Sequence, residues 1–185
     1  QSLTYPTNLV VTMQYDDFGN LLRLKGFDQP SAGFDLWEQL RADPYGGVVE
    51  ALFGNGVVTT RTFDADTGRL ESIHSVFQPQ GTATTVQDLR LEWTKAMDLR
   101  KRLDTLNNQS ETFRYDAKHQ LLGTQAKKGA VTQDATFTYD AFGNLLERPD
   151  VGIYTYQDER LQTAGTTAFW YNDNGALIAR SVNGI

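Results

Sequence analysis

The sequence contains no cysteine and only five prolines in 185 residues. Without cysteine, the chain has no disulfide, no thiol nucleophile and no cysteine-based zinc site. It also has no apolar run near the roughly 18 residues that a membrane-spanning helix needs. Its first residues show neither the basic start nor the apolar stretch of a signal peptide. A lack of cysteine is compatible with both the cytosol and export, so these absences leave the compartment open.

Positive charge is also scarce. The chain has 17 Lys and Arg against 23 Asp and Glu, which gives a net charge of −6. A surface of that sign repels a phosphate backbone, so we expect no nucleic-acid partner. Hydrophobic residues at 39% and charged residues at 22% are ordinary globular values, and they predict one domain over residues 1–185. An aromatic share of 11% and sixteen Gly favour strands joined by tight turns.

One motif recurs along the chain. Tyr15-Asp16-Asp17-Phe18-Gly19-Asn20-Leu21-Leu22 returns almost letter for letter as Tyr139-Asp140-Ala141-Phe142-Gly143-Asn144-Leu145-Leu146. Variants begin at Phe63, Tyr115 and Tyr171, weaker copies begin at Trp93 and Tyr156, and a copy without the aromatic begins at Ala42. The eight starts are 15 to 30 residues apart. A constant turn at variable spacing indicates β-hairpins joined by loops of changing length, since a helical solenoid keeps a tighter period.

The chemistry of the motif explains its letters. The Asp stands at the first corner of a turn, where its carboxylate can accept a backbone N–H bond from two residues on. The Gly supplies the positive φ that lets the chain reverse, and the leading aromatic can pack on the Leu across the hairpin. We therefore predict structural roles in the turns for Tyr15, Asp16, Gly19, Asp43, Gly46, Phe63, Asp64, Gly68, Tyr115, Asp116, Tyr139, Asp140, Gly143, Tyr171 and Gly175.

Two stretches depart from this pattern. Residues 34–41 have Leu36, Trp37 and Leu40 on one side of a possible helix. We favour a strand there, because the stretch directly precedes a turn in the place where other copies have strands. Residues 78–85 are rich in Gln, Gly and Thr and predict a long exposed loop.

Candidate reactive groups are few, and each has a simpler structural interpretation. His74 and His119 are the only histidines; neither has an evident nucleophile beside it, and His119 occupies a turn position. Residues 64–68 resemble the start of a calcium loop, but its twelfth position holds Ser75 instead of Glu. Gly54-Asn55-Gly56 lacks the third glycine of a dinucleotide fingerprint and predicts a hairpin turn. We predict no catalytic residue, no cofactor and no metal site, and hence no enzyme.

Aromatic side chains on a sheet can also stack on sugar rings. Trp37, Trp93 and Trp170 are the candidates for such a contact. Packing within the fold is the favoured role for each of them.

Taken together, these repeats closely resemble the YD repeats of the Rhs (rearrangement hot spot) family. The resemblance is carried by residues 52–70, 111–116 and 139–145, and it spans essentially the whole chain. It implies a long β-sheet that spirals into a hollow shell, as in bacterial Rhs proteins, the B–C components of insecticidal toxin complexes and the related barrel of teneurins. In the bacterial cases the shell encloses a C-terminal toxin.

The resemblance thus predicts an all-β fold of consecutive antiparallel hairpins in one curved, open sheet, a partial arc of an Rhs-type shell. The family's C-terminal sequence that closes and cleaves the shell has no counterpart here, so we expect neither closure nor autoproteolysis from these residues. The expected function is structural, in a protein secreted or delivered out of a bacterial cell, with the rest of the shell and its toxin cargo as partners. The alternative is a cell-surface module that binds carbohydrate or protein. Open strand edges would also favour self-association.

Overall fold

The structure, a computed structural model, describes residues 1–28, 33–78 and 81–183. Those residues form eighteen β-strands and no helix. The strands are β1 (Ser2–Thr4), β2 (Leu9–Tyr15), β3 (Leu21–Asp28), β4 (Phe34–Ala42), β5 (Val48–Phe53), β6 (Val57–Phe63), β7 (Leu70–Phe77), β8 (Thr84–Trp93), β9 (Leu99–Asp104), β10 (Gln109–Tyr115), β11 (Leu121–Lys128), β12 (Val131–Thr136), β13 (Thr138–Tyr139), β14 (Leu145–Arg148), β15 (Gly152–Gln157), β16 (Arg160–Ala164), β17 (Thr167–Tyr171) and β18 (Leu177–Val182).

The strands follow one another in chain order in two open antiparallel sheets, β1 to β12 in the first and β13 to β18 in the second. The all-β prediction of consecutive hairpins is therefore confirmed. Residues 34–41 lie in strand β4, as favoured above. The predicted loop over residues 78–85 ends earlier than expected, because β8 begins at Thr84; Pro79 and Gln80 lie outside the described residues.

The prediction of a single sheet needs correction. Strand β12 pairs with β11, whereas β13 pairs with β14, and only Phe137 separates the two strands. The hairpin after the break is short, because β14 has four residues and ends just before Pro149. Proline lacks the backbone N–H that would extend the ladder. Residues 131–139 therefore change partner near Phe137, pairing first with β11 and then with β14, and this separates the two sheets.

Contacts divide the chain into two compact units. The first comprises residues 1–92 and 102–108, and the second comprises residues 93–101 and 109–185. Within each unit the strands run alternately in opposite directions, so the motif turns meet at one edge and the remaining connections meet at the other.

Little of the chain is fully buried. In the first unit Ala51, Thr59 and Ser75 lie side by side across β5, β6 and β7, and the two hydroxyl groups are 2.8 Å apart. No large side chain among the described residues is completely buried. The accessible surface is 12953 Å², against about 8,900 Å² expected for a compact monomer of this mass. Pairing between strands and side-chain packing along the sheets therefore hold this fold together.

Candidate functional site

The motif turns are the chemically most distinctive feature of the structure. In the turn of residues 140–144, Oδ1 of Asp140 accepts hydrogen bonds from the backbone N–H groups of Phe142 and Asn144, both at 2.9 Å. Its Oδ2 accepts a third from the Asn144 amide, also at 2.9 Å. One carboxylate thus bridges both ends of a five-residue turn. The sequence predicted the bond to the residue two positions after Asp140. It did not predict the two bonds to Asn144, four positions after Asp140.

Related hydrogen bonds recur in six further motif turns, with small chemical changes. Asp16 makes all three bonds to Phe18 and Asn20, at 2.8 to 2.9 Å. Asn172 and Thr94 replace the aspartate in two copies, and each accepts the N–H from four residues on, at 2.9 and 3.1 Å. The carboxylates of Asp43, Asp64 and Asp116 likewise accept backbone N–H bonds within their turns.

These hydrogen bonds change the acidity of the turn aspartates. The amides of Asn20 and Asn144 hold the pKa of Asp16 and Asp140 below the ordinary value, and Thr67 does the same for Asp64. The cause is stabilisation of the charged form by donors aimed at it. Sequence reasoning missed Asp104, whose pKa is lowered in the same way by Asn107 in the β9–β10 connection. The sequence contained a signal for this turn, because Asp104 stands three residues before Asn107.

Each turn also has a residue with positive φ before its last position. Gly19, Gly46 and Gly143 have φ of 87°, 86° and 92°, a region in which a side chain is strained. His119 takes this position with φ of 64°, as its place in the repeat suggested. Met97 takes it with φ of 75°, which was not anticipated.

Neighbouring turns stack on each other through this position. His119 Nδ1 lies 2.9 Å from Oδ1 of Asp98, the last residue of the preceding turn. A Cβ placed on Gly46 would lie 3.1 Å from Asn20 Oδ1, and one on Gly143 would lie 2.9 Å from Gln120 Nε2. The positive-φ residue of one turn therefore faces the last residue of the turn before it.

Two of the leading tyrosines join successive repeats. The hydroxyl of Tyr139 donates to the backbone carbonyl of Leu121, and that of Tyr156 donates to the carbonyl of Leu145, both at 3.0 Å. In each case the acceptor is the first Leu of the preceding motif. We call this contact the tyrosine stitch. Burial raises the pKa of Tyr156, which keeps its hydroxyl protonated and able to donate.

The sequence held a signal for this contact, because five of the eight motifs begin with Tyr and only one with Phe. Not every tyrosine makes the bond to a preceding repeat. The hydroxyl of Tyr15, in the first motif, instead reaches Sδ of Met13 at 3.4 Å.

The connection at residues 54–56 forms a hairpin turn between β5 and β6. Gly56 has φ of 84° and donates to the carbonyl of Phe53 at 2.8 Å. Gly54 donates to the carbonyl of Leu36 at 2.9 Å, and a Cβ on Gly54 would lie only 2.0 Å from the Asp35 carbonyl oxygen. The close approach of another backbone segment explains the glycine at position 54, and the positive φ explains Gly56.

The remaining candidates lie apart from one another. His74 faces Asp88 across β7 and β8, with Nδ1 4.0 Å from Oδ1, beside a shallow polar depression of about 570 Å³. Among the described residues, no three His, Asp or Glu side chains are grouped so that they could hold a metal ion. Trp37 and Trp93 are half-buried, whereas Trp170 is 48% exposed. No helix in the described part of the chain could cross a membrane.

Comparison with known proteins relates the fold to toxin complexes. No protein-family model matches the chain, and no curated protein matches it in sequence. Solved structures do match: the Tc holotoxin pore of Photorhabdus luminescens, with a TM-score of 0.72 and 17% identity, and TcdB2-TccC3, with a TM-score of 0.74 and 16% identity. A crystal structure of TcdB2-TccC3 without the hypervariable C-terminal region gives a TM-score of 0.75. These alignments cover 95% of this chain and 11 to 12% of theirs. The chain has their fold.

Proposed function

We propose that this chain is a wall segment of an Rhs-type β-sheet shell that encloses a toxic C-terminal cargo in a bacterial toxin or toxin-delivery protein. The observation that carries the proposal is the fold match over 95% of the chain at a TM-score of up to 0.75. A shared fold alone does not fix function. The repeats resemble YD repeats independently of that match, so sequence pattern and fold support the same proposal.

The hydrogen bonds within and between the motif turns are of the kind expected in the wall of a shell. Seven of the eight motif turns are held by an aspartate or a substitute at their first position, and stacked turns and the tyrosine stitch then join repeats to their neighbours. Such an arrangement extends by adding hairpins and needs no deep core. We propose that the segment works by enclosure and has no reaction of its own. The turn position of His119 and the turn hydrogen bonds of Asp64 support structural roles for these groups.

The partners follow from the same proposal. They are the remainder of the shell and the cargo within it, in a protein that is secreted or delivered out of the cell. Self-association of the isolated chain through unpaired strand edges stays a prediction.

Protease protection of the natural full-length protein tests the proposal. The C-terminal region should resist a protease that rapidly digests the same region expressed alone. Electron microscopy should place residues 1–185 in a closed wall around it. Digestion of the C-terminal region at the same rate in both forms would overturn the proposal.

One observation favours a second candidate, a sugar-binding sheet. Trp170, at 48% exposure, is the most exposed of the three candidate tryptophans, and exposed aromatic faces can stack on sugars. Saturable binding on a glycan array that Trp170→Ala abolishes would support it. The matched control is Ile178→Ala, which removes an exposed side chain from the neighbouring strand β18. Equal binding by Trp170→Ala and the unaltered chain would exclude the tryptophan.

A further inference from the structure

Three aromatic side chains project from the motif turns almost completely into solvent. Phe18, Tyr45 and Phe142 are 92%, 96% and 86% exposed. The next most exposed large hydrophobic residue among those described, Ile153, is 66% exposed. All three occupy the same place in the motif, directly before the positive-φ glycine. The most exposed aromatics of the chain therefore share one structural position.

Folding does not require an aromatic at this position. The turn is closed by the first-position side chain and by backbone bonds, such as Gly19 N–H to the Asp16 carbonyl at 3.1 Å. Other motif turns have Ala96, Lys118 and Asn174 at the same place. Large apolar groups that are exposed without a structural role commonly mark interaction surfaces.

Two of the three aromatics lie in neighbouring turns. Asn20 of the first turn approaches Gly46 of the second, which brings the turns carrying Phe18 and Tyr45 together at one edge of the first unit. Phe142 belongs to the second unit.

This edge is strongly acidic. The first three motif turns, residues 16–20, 43–47 and 64–69, carry five carboxylates and one guanidinium. Asp17 is exposed beside Phe18 and has no ion pair among the described residues. Arg41, which precedes the second turn, lies 3.4 Å from Glu50. Hydrogen bonds lower the pKa of Asp16 and Asp64, so both stay negatively charged at neutral pH.

We propose that Phe18 and Tyr45, together with Asp17 and Asp43, form a docking edge for a basic protein surface rich in arginine. Aromatic faces attract cations, and guanidinium groups stack on them while donating to adjacent carboxylates. The charge of the edge selects a positive partner and repels nucleic acid. The turn tips project away from the strands, so docking leaves both faces of the sheet available. This inference concerns the turn edge and does not depend on the proposed shell.

Titration calorimetry with an oligo-arginine peptide tests the docking edge on the whole chain. The key variant is Phe18→Asn with Tyr45→Asn, because Asn174 already occupies this position in the last turn and the substitution leaves the charge unchanged. We expect the double variant to bind at least about tenfold more weakly, the loss of two cation–π contacts. Asp17→Asn should also weaken binding.

The matched control is Phe142→Asn, which removes an equally placed aromatic from a turn with a single carboxylate. This variant should change the affinity for the peptide by less than about twofold, as expected for a residue that contributes little to binding. The proposal is overturned if the double variant binds like the unaltered chain. It is also overturned if oligo-lysine binds both forms as tightly as oligo-arginine does, or if the edge binds an uncharged oligosaccharide and not the peptide. Circular dichroism should show the same strand content in all variants.

Discussion

The tyrosine stitch makes a sharp prediction about coupling between repeats. Tyr139→Phe removes only the hydroxyl group that donates to the Leu121 carbonyl at 3.0 Å and keeps the ring opposite Leu145. A neutral hydrogen bond contributes about 0.5–1.5 kcal/mol net, so the variant should lose about 1 kcal/mol of unfolding free energy. For a chain of this length that corresponds to a fall in Tm of about 2–4 °C.

Tyr15→Phe is the matched control. It deletes the same atom at the same motif position, but the hydroxyl of Tyr15 reaches only Sδ of Met13, at 3.4 Å. Urea unfolding should show almost no change for this variant, because a thioether is a weak acceptor. Hydrogen exchange should localise the effect of Tyr139→Phe to strands β11, β13 and β14. If the two variants lose the same stability, the stitch does not couple repeats and the reasoning is refuted.

Four further predictions concern the turns. Gly54→Ala should destabilise the chain far more than Gly19→Ala in urea unfolding. A Cβ added at Gly54 would lie 2.0 Å from a backbone oxygen. A Cβ added at Gly19 would meet open space, so this variant should lose only the strain energy of a positive φ, about 1 kcal/mol. Met97→Gly should raise Tm, because it relieves a φ of 75°; a lower Tm would show that the Met97 side chain contributes more than the strain costs. Asp140→Asn should be tolerated better than Asp140→Ala, since Asn172 fills the same place in the last turn. The aspartates with lowered pKa stabilise the fold fully above the unfolded pKa of about 4, and this contribution should disappear as pH falls through their lower folded values. Measuring the unfolding free energy as a function of pH checks the direction of this effect. In the Asp140→Asn variant, the unfolding free energy should fall less steeply below about pH 4.

Local chemistry could be predicted from the sequence because it depends on few residues. An Asp followed three or four residues later by Gly defines the turn by itself, and even His119 at a glycine position could be assigned to it. The strand before the turn at residue 43 could be assigned from its place in the repeat. These inferences need no knowledge of which strands are neighbours.

Contacts between repeats could not be predicted in the same way. The bond from Tyr139 to the Leu121 carbonyl and the approach of His119 to Asp98 depend on the pairing of strands far apart in sequence. The break at Phe137 was missed for a related reason. It lies where residues 131–139 change from pairing with β11 to pairing with β14, and the spacing of the motifs does not reveal that change.

The scarcity of fully buried side chains has a thermodynamic consequence. Unfolding should expose less apolar surface than in a compact domain of equal length, so the heat capacity change should fall below the usual value of about 12–15 cal/mol/K per residue. The stability curve should then be broad and flat with temperature, and cold should weaken the fold less than is common. A proposed shell segment built in this way would keep a similar unfolding free energy over a wide range of temperatures.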